Sequence, residues 1–135
     1  MSDASDRVKR LNRILKVQAQ KRLLEEWRIS QLREQRGALV KSDEDILASL
    51  GVESDLHGLF IGAKVNNLRR NEAERQKLAS EEIVAEERLR QLRRVEKNIE
   101  KSRDKTGRVA SAEAEADQRD ASIEAFLARA ASSFE

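Results

Sequence analysis

Apolar residues in the first forty positions follow a helical spacing. Steps of three and four place them on one stripe of a helix, and they are Val8, Leu11, Leu15, Ile29, Leu32 and Leu39. Ser5 and Asp6 precede the stripe and are suitable N-cap residues. Between Gln18 and Glu25 the positions of the stripe are polar. The pattern therefore predicts a helix over about 5–41 with an irregular seam rather than a strict heptad, and Gly37 is a plausible place for a bend.

The segment SLGVESDLHGLFIG, residues 49–62, interrupts this pattern with three glycines and a cluster of apolar residues. Just before it, Ser42 and Asp45 have the spacing of a capping box, and Gly51 follows Leu50 as a stop signal. These signals predict a short helix over about 43–50. Gly58 and Gly62 are expected to relax the backbone, so the predicted tip covers about 42–62.

Helical spacing resumes after the tip and predicts a second long helix over about 63–131. Its stripe includes Val65, Leu68, Leu78, Ala85, Leu89, Leu92 and Ile99. From about residue 108 the helix becomes Ala-rich, and we expect it to be least firmly packed there. The predicted fold is all-α: a single domain, 1–135, forming a long antiparallel two-helix coiled-coil hairpin with a short helix and a Gly-rich turn at its tip. Leu11, Leu15, Leu32 and Leu39 are expected to face Leu78, Leu89, Leu92 and Ile99.

The number and distribution of charged residues limit the kinds of partner that the chain is expected to bind. The chain has 27 basic and 25 acidic residues, and 39% of its residues are charged. Because the two signs are interleaved, the composition argues against nucleic-acid binding. No apolar run reaches the length needed to cross a bilayer, so we expect no membrane insertion. The absence of Cys fits a reducing compartment. We expect the protein in the cytoplasm, or held by partners at the cytoplasmic face of the inner membrane.

Residues suited to catalysis are scarce. His57 is the only His, and a metal site or a His-dependent triad would need partners that the sequence lacks. The glycines of the tip are not followed by the Lys and Ser or Thr of a P-loop. The sequence therefore predicts that the protein is not an enzyme, with no catalytic residue, no cofactor and no metal site.

Large apolar residues provide the candidates for binding a partner. They are Trp27, Leu39, Leu56, Leu59, Phe60 and Leu68. Two interpretations of the tip residues are open: they close over the end of the hairpin and fill its core, or they form a docking surface. Trp27 has two similar interpretations, as a wide residue within the seam or as a half-exposed interaction anchor.

The stretch RVKRLNRILKVQAQKRLLEEWRISQLREQ, residues 7–35, resembles the flagellar export protein FliJ and the similar YscO-type stalk proteins of virulence type III secretion. The likeness lies in the opening Leu-x-x-Ile-Leu-Lys-Val, the charge-rich seam, the mid-chain break and the longer second helix. It implies a bacterial export-apparatus component that inserts into a hexameric export ATPase. It also implies contacts with the cytoplasmic domain of the export gate and with export chaperones.

Two other functions fit the same pattern. Any long antiparallel coiled coil can act as a generic scaffold or adaptor, and a nucleic-acid-associated helical protein is the third interpretation. No single residue of the resemblance has an individually required chemistry, so no family contact is assigned to a position of this chain.

Overall fold

Two long α-helices account for nearly all of the part of the chain that the structure, a computed structural model, describes: residues 3–51 and 57–133. Helix α1 is Asp3–Leu50 and has 48 residues, and helix α2 is His57–Ser133 and has 77 residues. Asp3 and Asp6 lie in the first turn of α1, where negative charge complements the helix dipole. No residue of the described ranges is in a β-strand. The prediction of an all-helical, two-helix fold is confirmed.

The predicted short helix at 43–50 is wrong, because α1 continues without interruption to Leu50. The carboxylate of Asp43 is buried and contacts α2 instead of capping a new helix. Asn71 Nδ2 donates a hydrogen bond to Asp43 Oδ1 at 2.9 Å, and Arg75 Nη2 lies 3.1 Å from Asp43 Oδ2. Asp43 therefore joins α1 to α2 rather than starting a new helix.

The predicted tip at 42–62 is also too long. Gly51 forms a turn after α1, where its amide donates a hydrogen bond to the carbonyl of Ala48 at 3.2 Å. Gly58 and Gly62 lie inside α2, and no described glycine has a positive φ. A helix tolerates glycine at a cost of about 1 kcal/mol, and the neighbouring residues Leu59, Phe60 and Ile61 continue the helix.

The contacts divide the chain into two units, Gln20–Arg93 and a second unit of residues 1–19 and 94–135. The first unit holds the hydrophobic core, which consists of Ile29, Leu32, Leu78, Ala85 and Leu89 with Leu39 packed against it. The predicted grouping of Leu32 and Leu39 with Leu78 and Leu89 is confirmed within this unit. Leu92 is half-buried.

The inward-facing positions of the two helices within 20–93, which form the seam between them, are regularly spaced. Only the type of residue at these positions, apolar or polar, is irregular. On α1 the buried and half-buried positions include 22, 25, 29, 32, 36, 39, 43 and 46, and on α2 they include 68, 71, 75, 78, 82, 85, 89 and 92. Both series alternate steps of three and four, as in a heptad repeat. The predicted irregularity of the apolar stripe is found in this unit as polar residues at several inward positions, among them Glu25, Asp43 and Glu82.

In the second unit, Val8, Leu11 and Leu15 of α1 and Ile99, Thr106 and Ala110 of α2 are half-buried. Beyond residue 110 the side chains of α2 are exposed through Ser133, except for the half-buried Ala116 and Ala130. The expectation that the Ala-rich end is the least firmly packed part of the helix agrees with this exposure.

Candidate partner-binding groove

Buried charge in the seam of 20–93 is held by arginines at its edge. Glu82 occupies an inward position and is only 6% exposed. Arg33 Nε donates to Glu82 Oε1 at 2.9 Å, and Arg36 Nη1 lies 2.9 Å from Glu82 Oε2. Both arginines are partly exposed, so the carboxylate is neutralised without burying two further charges.

One flank of the seam is bridged by further ion pairs between the helices. Arg33 Nη2 donates to Glu86 Oε1 at 3.0 Å, and Arg93 Nη2 donates to Glu26 Oε1 at 3.3 Å. The pKa of Glu26 is lowered from 4.5, chiefly by its hydrogen bond from Arg22 and also by Arg93. The pKa of Arg33 is raised above its ordinary value, chiefly by its hydrogen bond to Glu82. These side chains bridge the two helices along this flank and line a smaller groove between them.

The opposite flank of 20–93 carries an open groove between the helices. Its floor consists of Leu32 and the fully buried Ala85, and its apolar rim consists of Trp27 and Val84. The polar lining residues are Arg28, Gln31, Gln35, Ser80, Glu81 and Arg88. The small side chain of Ala85 leaves space in the floor, and we refer to this surface as the Trp27 groove.

Arg28 and Arg88 give one end of the Trp27 groove its charge. Arg28 Nη1 lies 3.3 Å from Glu25 Oε2, and Arg88 Nη1 lies 4.0 Å from Glu25 Oε1. Two arginines thus share one buried carboxylate, and this end of the groove keeps a net positive charge. Such an arrangement of apolar floor and charged end suits an amphipathic helix.

The residues predicted to bind a partner do not lie together. Trp27 is 61% exposed, so its interpretation as a seam residue is wrong, and it lines the groove. Leu39 packs against the core, and Leu68 is half-buried. The partner-binding residues predicted from the sequence did not include Val84 and Arg88, which also line the groove. Val84 had a recognisable signal, because it is an apolar residue at an outward position directly before the stripe residue Ala85.

Leu59 and Phe60 lie in the first turn of α2 and are 75% and 53% exposed. They do not close over a core within the described residues, which contradicts the first interpretation of the tip for these two side chains. Leu56 lies outside the described residues. A binding role for any of the six residues stays a prediction.

Within 3–51 and 57–133, no group of His, Asp and Glu residues has an arrangement that could hold a metal ion. Neither helix, over its described length, contains a stretch long and apolar enough to cross a membrane. The arrangement can offer contact surfaces and charge.

Comparison with known proteins gives no assignment: no family model, no curated protein and no solved structure matches this chain.

Proposed function

We propose that the chain is a coiled-coil stalk of a flagellar or type III protein export apparatus, which engages the hexameric export ATPase and links it to the export gate and chaperones. The observation that supports this proposal is the difference between the two flanks of 20–93. Two ion pairs of 3.0 and 3.3 Å join the helices along one flank. The other flank carries the Trp27 groove, where the pair between the helices is the longer contact of Arg88 with Glu25 at 4.0 Å. In this proposal the two helices of 20–93 form an antiparallel coiled coil.

The order of contacts supports the antiparallel arrangement. Glu26 pairs with Arg93, Arg33 with Glu86, and Asp43 with Arg75. The partner on α2 therefore comes earlier in the chain as the residue on α1 comes later. A helix pair held in this way is stiff against sliding, and it can transmit position or torque from one protein to another.

The groove gives the proposed stalk a surface with which to hold a partner. Trp27 is a large, exposed, rigid side chain of the kind that dominates binding energy at interfaces. The floor of Leu32 and Ala85 accepts apolar side chains at helical spacing, and the positive end pairs with a carboxylate. We place the contact with the ATPase in this groove.

ATP hydrolysis by the export ATPase of the same organism, measured with and without the chain, tests the proposal. We expect stimulation by the intact chain, and we expect Trp27→Ala to raise the concentration needed for half-maximal stimulation about 30-fold, as for an interface hot spot. Leu23→Ala is the matched control, because Leu23 is an exposed apolar residue of the same helix that does not line the groove.

Two results would contradict the proposal. If the intact chain has no effect on the ATPase, the stalk function is wrong and an adaptor for another helical protein is the better conclusion. If Trp27→Ala and Leu23→Ala behave alike while the intact chain stimulates, the groove is not the contact surface.

A further inference from the structure

The beginning of α1 carries a concentration of positive charge. Five cationic residues lie within residues 7–16 without an acidic residue among them: Arg7, Lys9, Arg10, Arg13 and Lys16. All five are exposed. We name this surface the N-terminal basic patch.

The cations of the patch differ from the arginines that join the two helices of 20–93. There, Arg33, Arg36 and Arg75 each lie within 3.1 Å of a carboxylate on the other helix. Arg7, Arg10, Arg13 and Lys16 have no carboxylate within ion-pair distance among the described residues. The whole chain has a net charge of only +2, so this local concentration is not a consequence of overall composition.

Exposed apolar side chains lie among these cations. Ile14 is 44% exposed and Val17 is 50% exposed. Ile14 follows Arg10 by four residues and Val17 follows Arg13 by four, so each apolar residue lies on the same face as a cation. The inward side of this segment is already occupied, because Val8, Leu11 and Leu15 are half-buried.

Residues of α2 extend the same surface. A groove in this unit is lined by α1 residues between Asp3 and Lys16 together with Ser102, Lys105, Thr106 and Val109. Asp3 and Asp6 place two carboxylates at its beginning, and the other charged side chains that line it are cations. Lys105 adds a sixth cation, and the two hydroxyl groups are suitable donors to phosphate oxygens. The patch thus offers positive charge, hydroxyl donors and shallow apolar contacts together.

We propose that the N-terminal basic patch binds the surface of an anionic membrane, with Arg7, Arg10, Arg13 and Lys16 on the lipid phosphates and with Ile14 and Val17 in the headgroup region. Clusters of four or more cations on an amphipathic helix are typical of such binding. The patch covers ten residues, about 15 Å of helix. Phosphates of nucleic acid would satisfy the cations alone, whereas a membrane interface also accommodates the two apolar side chains.

Binding of the full-length chain to vesicles tests this inference independently of any ATPase. We expect the chain to float with vesicles of phosphatidylglycerol and phosphatidylcholine and not with vesicles of phosphatidylcholine alone. Added salt is expected to release it. The double variant Arg10→Glu with Arg13→Glu should bind at least about 25-fold more weakly, since each cation near an anionic surface contributes about fivefold.

The double variant Arg69→Glu with Arg70→Glu is the matched control, because it changes the net charge equally at two exposed residues of the other unit. It should bind nearly as well as the unchanged chain. Equal losses in the two double variants, or equal binding to neutral and anionic vesicles, would overturn the inference.

A second measurement does not depend on charge reversal. In a Trp27→Phe background, Ile14→Trp should show a blue-shifted emission with anionic vesicles and quenching by brominated lipid. An indole that stays in water, or a chain that prefers a short DNA duplex to the anionic vesicles, would contradict a membrane partner.

Discussion

Asp43 illustrates how the environment of a single residue decides its role. Its carboxylate is buried and accepts a hydrogen bond from Asn71 while it pairs with Arg75. Asp45, two positions later, is exposed. The same residue type therefore has different energetic consequences at the two positions, and a pair of identical substitutions measures the difference.

We expect Asp43→Ala to lower the free energy of unfolding by about 1–2 kcal/mol relative to Asp45→Ala, because Asn71 and Arg75 lose their contact with the buried carboxylate and keep only those with Ser42 and Glu72. Both substitutions replace Asp by Ala within α1 and therefore gain the same helix propensity. The difference between their free energies of unfolding thus measures the contacts of Asp43 with α2. Urea unfolding followed by circular dichroism gives both values. Equal stabilities of the two variants would show that the Asp43 contacts contribute nothing.

Glu26 provides a prediction about pH. Its pKa in the folded chain is lowered below 4.5, first by Arg22 and then by Arg93. A carboxylate with a lowered pKa stabilises the fold above its ordinary pKa, and that contribution is lost as the pH falls through the folded value. The stability difference between the unchanged chain and Glu26→Gln should therefore be present at neutral pH and disappear in acid.

Unfolding midpoints over a pH series, with Arg22→Gln as a second variant, provide the measurement. Arg22→Gln should reduce the pH-dependent part of the difference, since Arg22 is the main cause of the shift. A difference between the unchanged chain and Glu26→Gln that stays constant from neutral pH into acid would contradict this assignment.

At the scale of the elements, the spacing of apolar residues predicted the two long helices. The capping and glycine signals gave wrong positions for the end of α1 and the start of α2. Leu32, Leu78 and Leu89 repeat with helical spacing, and that pattern is sufficient to place them in the core. Ser42 and Gly62 are local signals for a helix start and a helix break. Whether such a signal ends a helix depends on the residues of the other helix that pack against it, and a single sequence does not show them. The Trp27 groove was missed for the same reason, because it exists only where two helices meet.

Gly37 lies on the exposed side of α1, with nothing within 4 Å of where a Cβ would stand. We expect Gly37→Ala to raise the free energy of unfolding by about 1 kcal/mol through helix propensity. Gly51→Ala is the control, since Gly51 lies in the turn after α1 and offers no such gain. Denaturant unfolding compares the two, and a loss of stability in Gly37→Ala would indicate that glycine is required there.

At the scale of the whole molecule, the core lies within 20–93 and the end of α2 contributes little to it. We expect deletion of residues 111–135 to reduce the helical signal in far-UV circular dichroism and to leave the thermal unfolding midpoint of the hairpin unchanged. The described side chains among those removed, 111–133, are almost all exposed, so little apolar burial is lost. A lower midpoint would show that this segment packs against the rest of the chain.

The polar seam has a consequence for how the two helices find their alignment during folding. Arg36 lies opposite Glu82, and seven residues along α1 Asp43 lies opposite Arg75, seven residues earlier in α2. If α2 were displaced by one heptad in one direction, Asp43 would meet Glu82 and two carboxylates would face each other. A displacement by one heptad in the other direction would bring Arg36 against Arg75. A seam made only of apolar residues would allow both misalignments at little cost in free energy. The two ion pairs of opposite orientation make each misalignment less stable, because like charges then face each other. Misaligned helix pairs therefore dissociate again, and the correct alignment accumulates during folding.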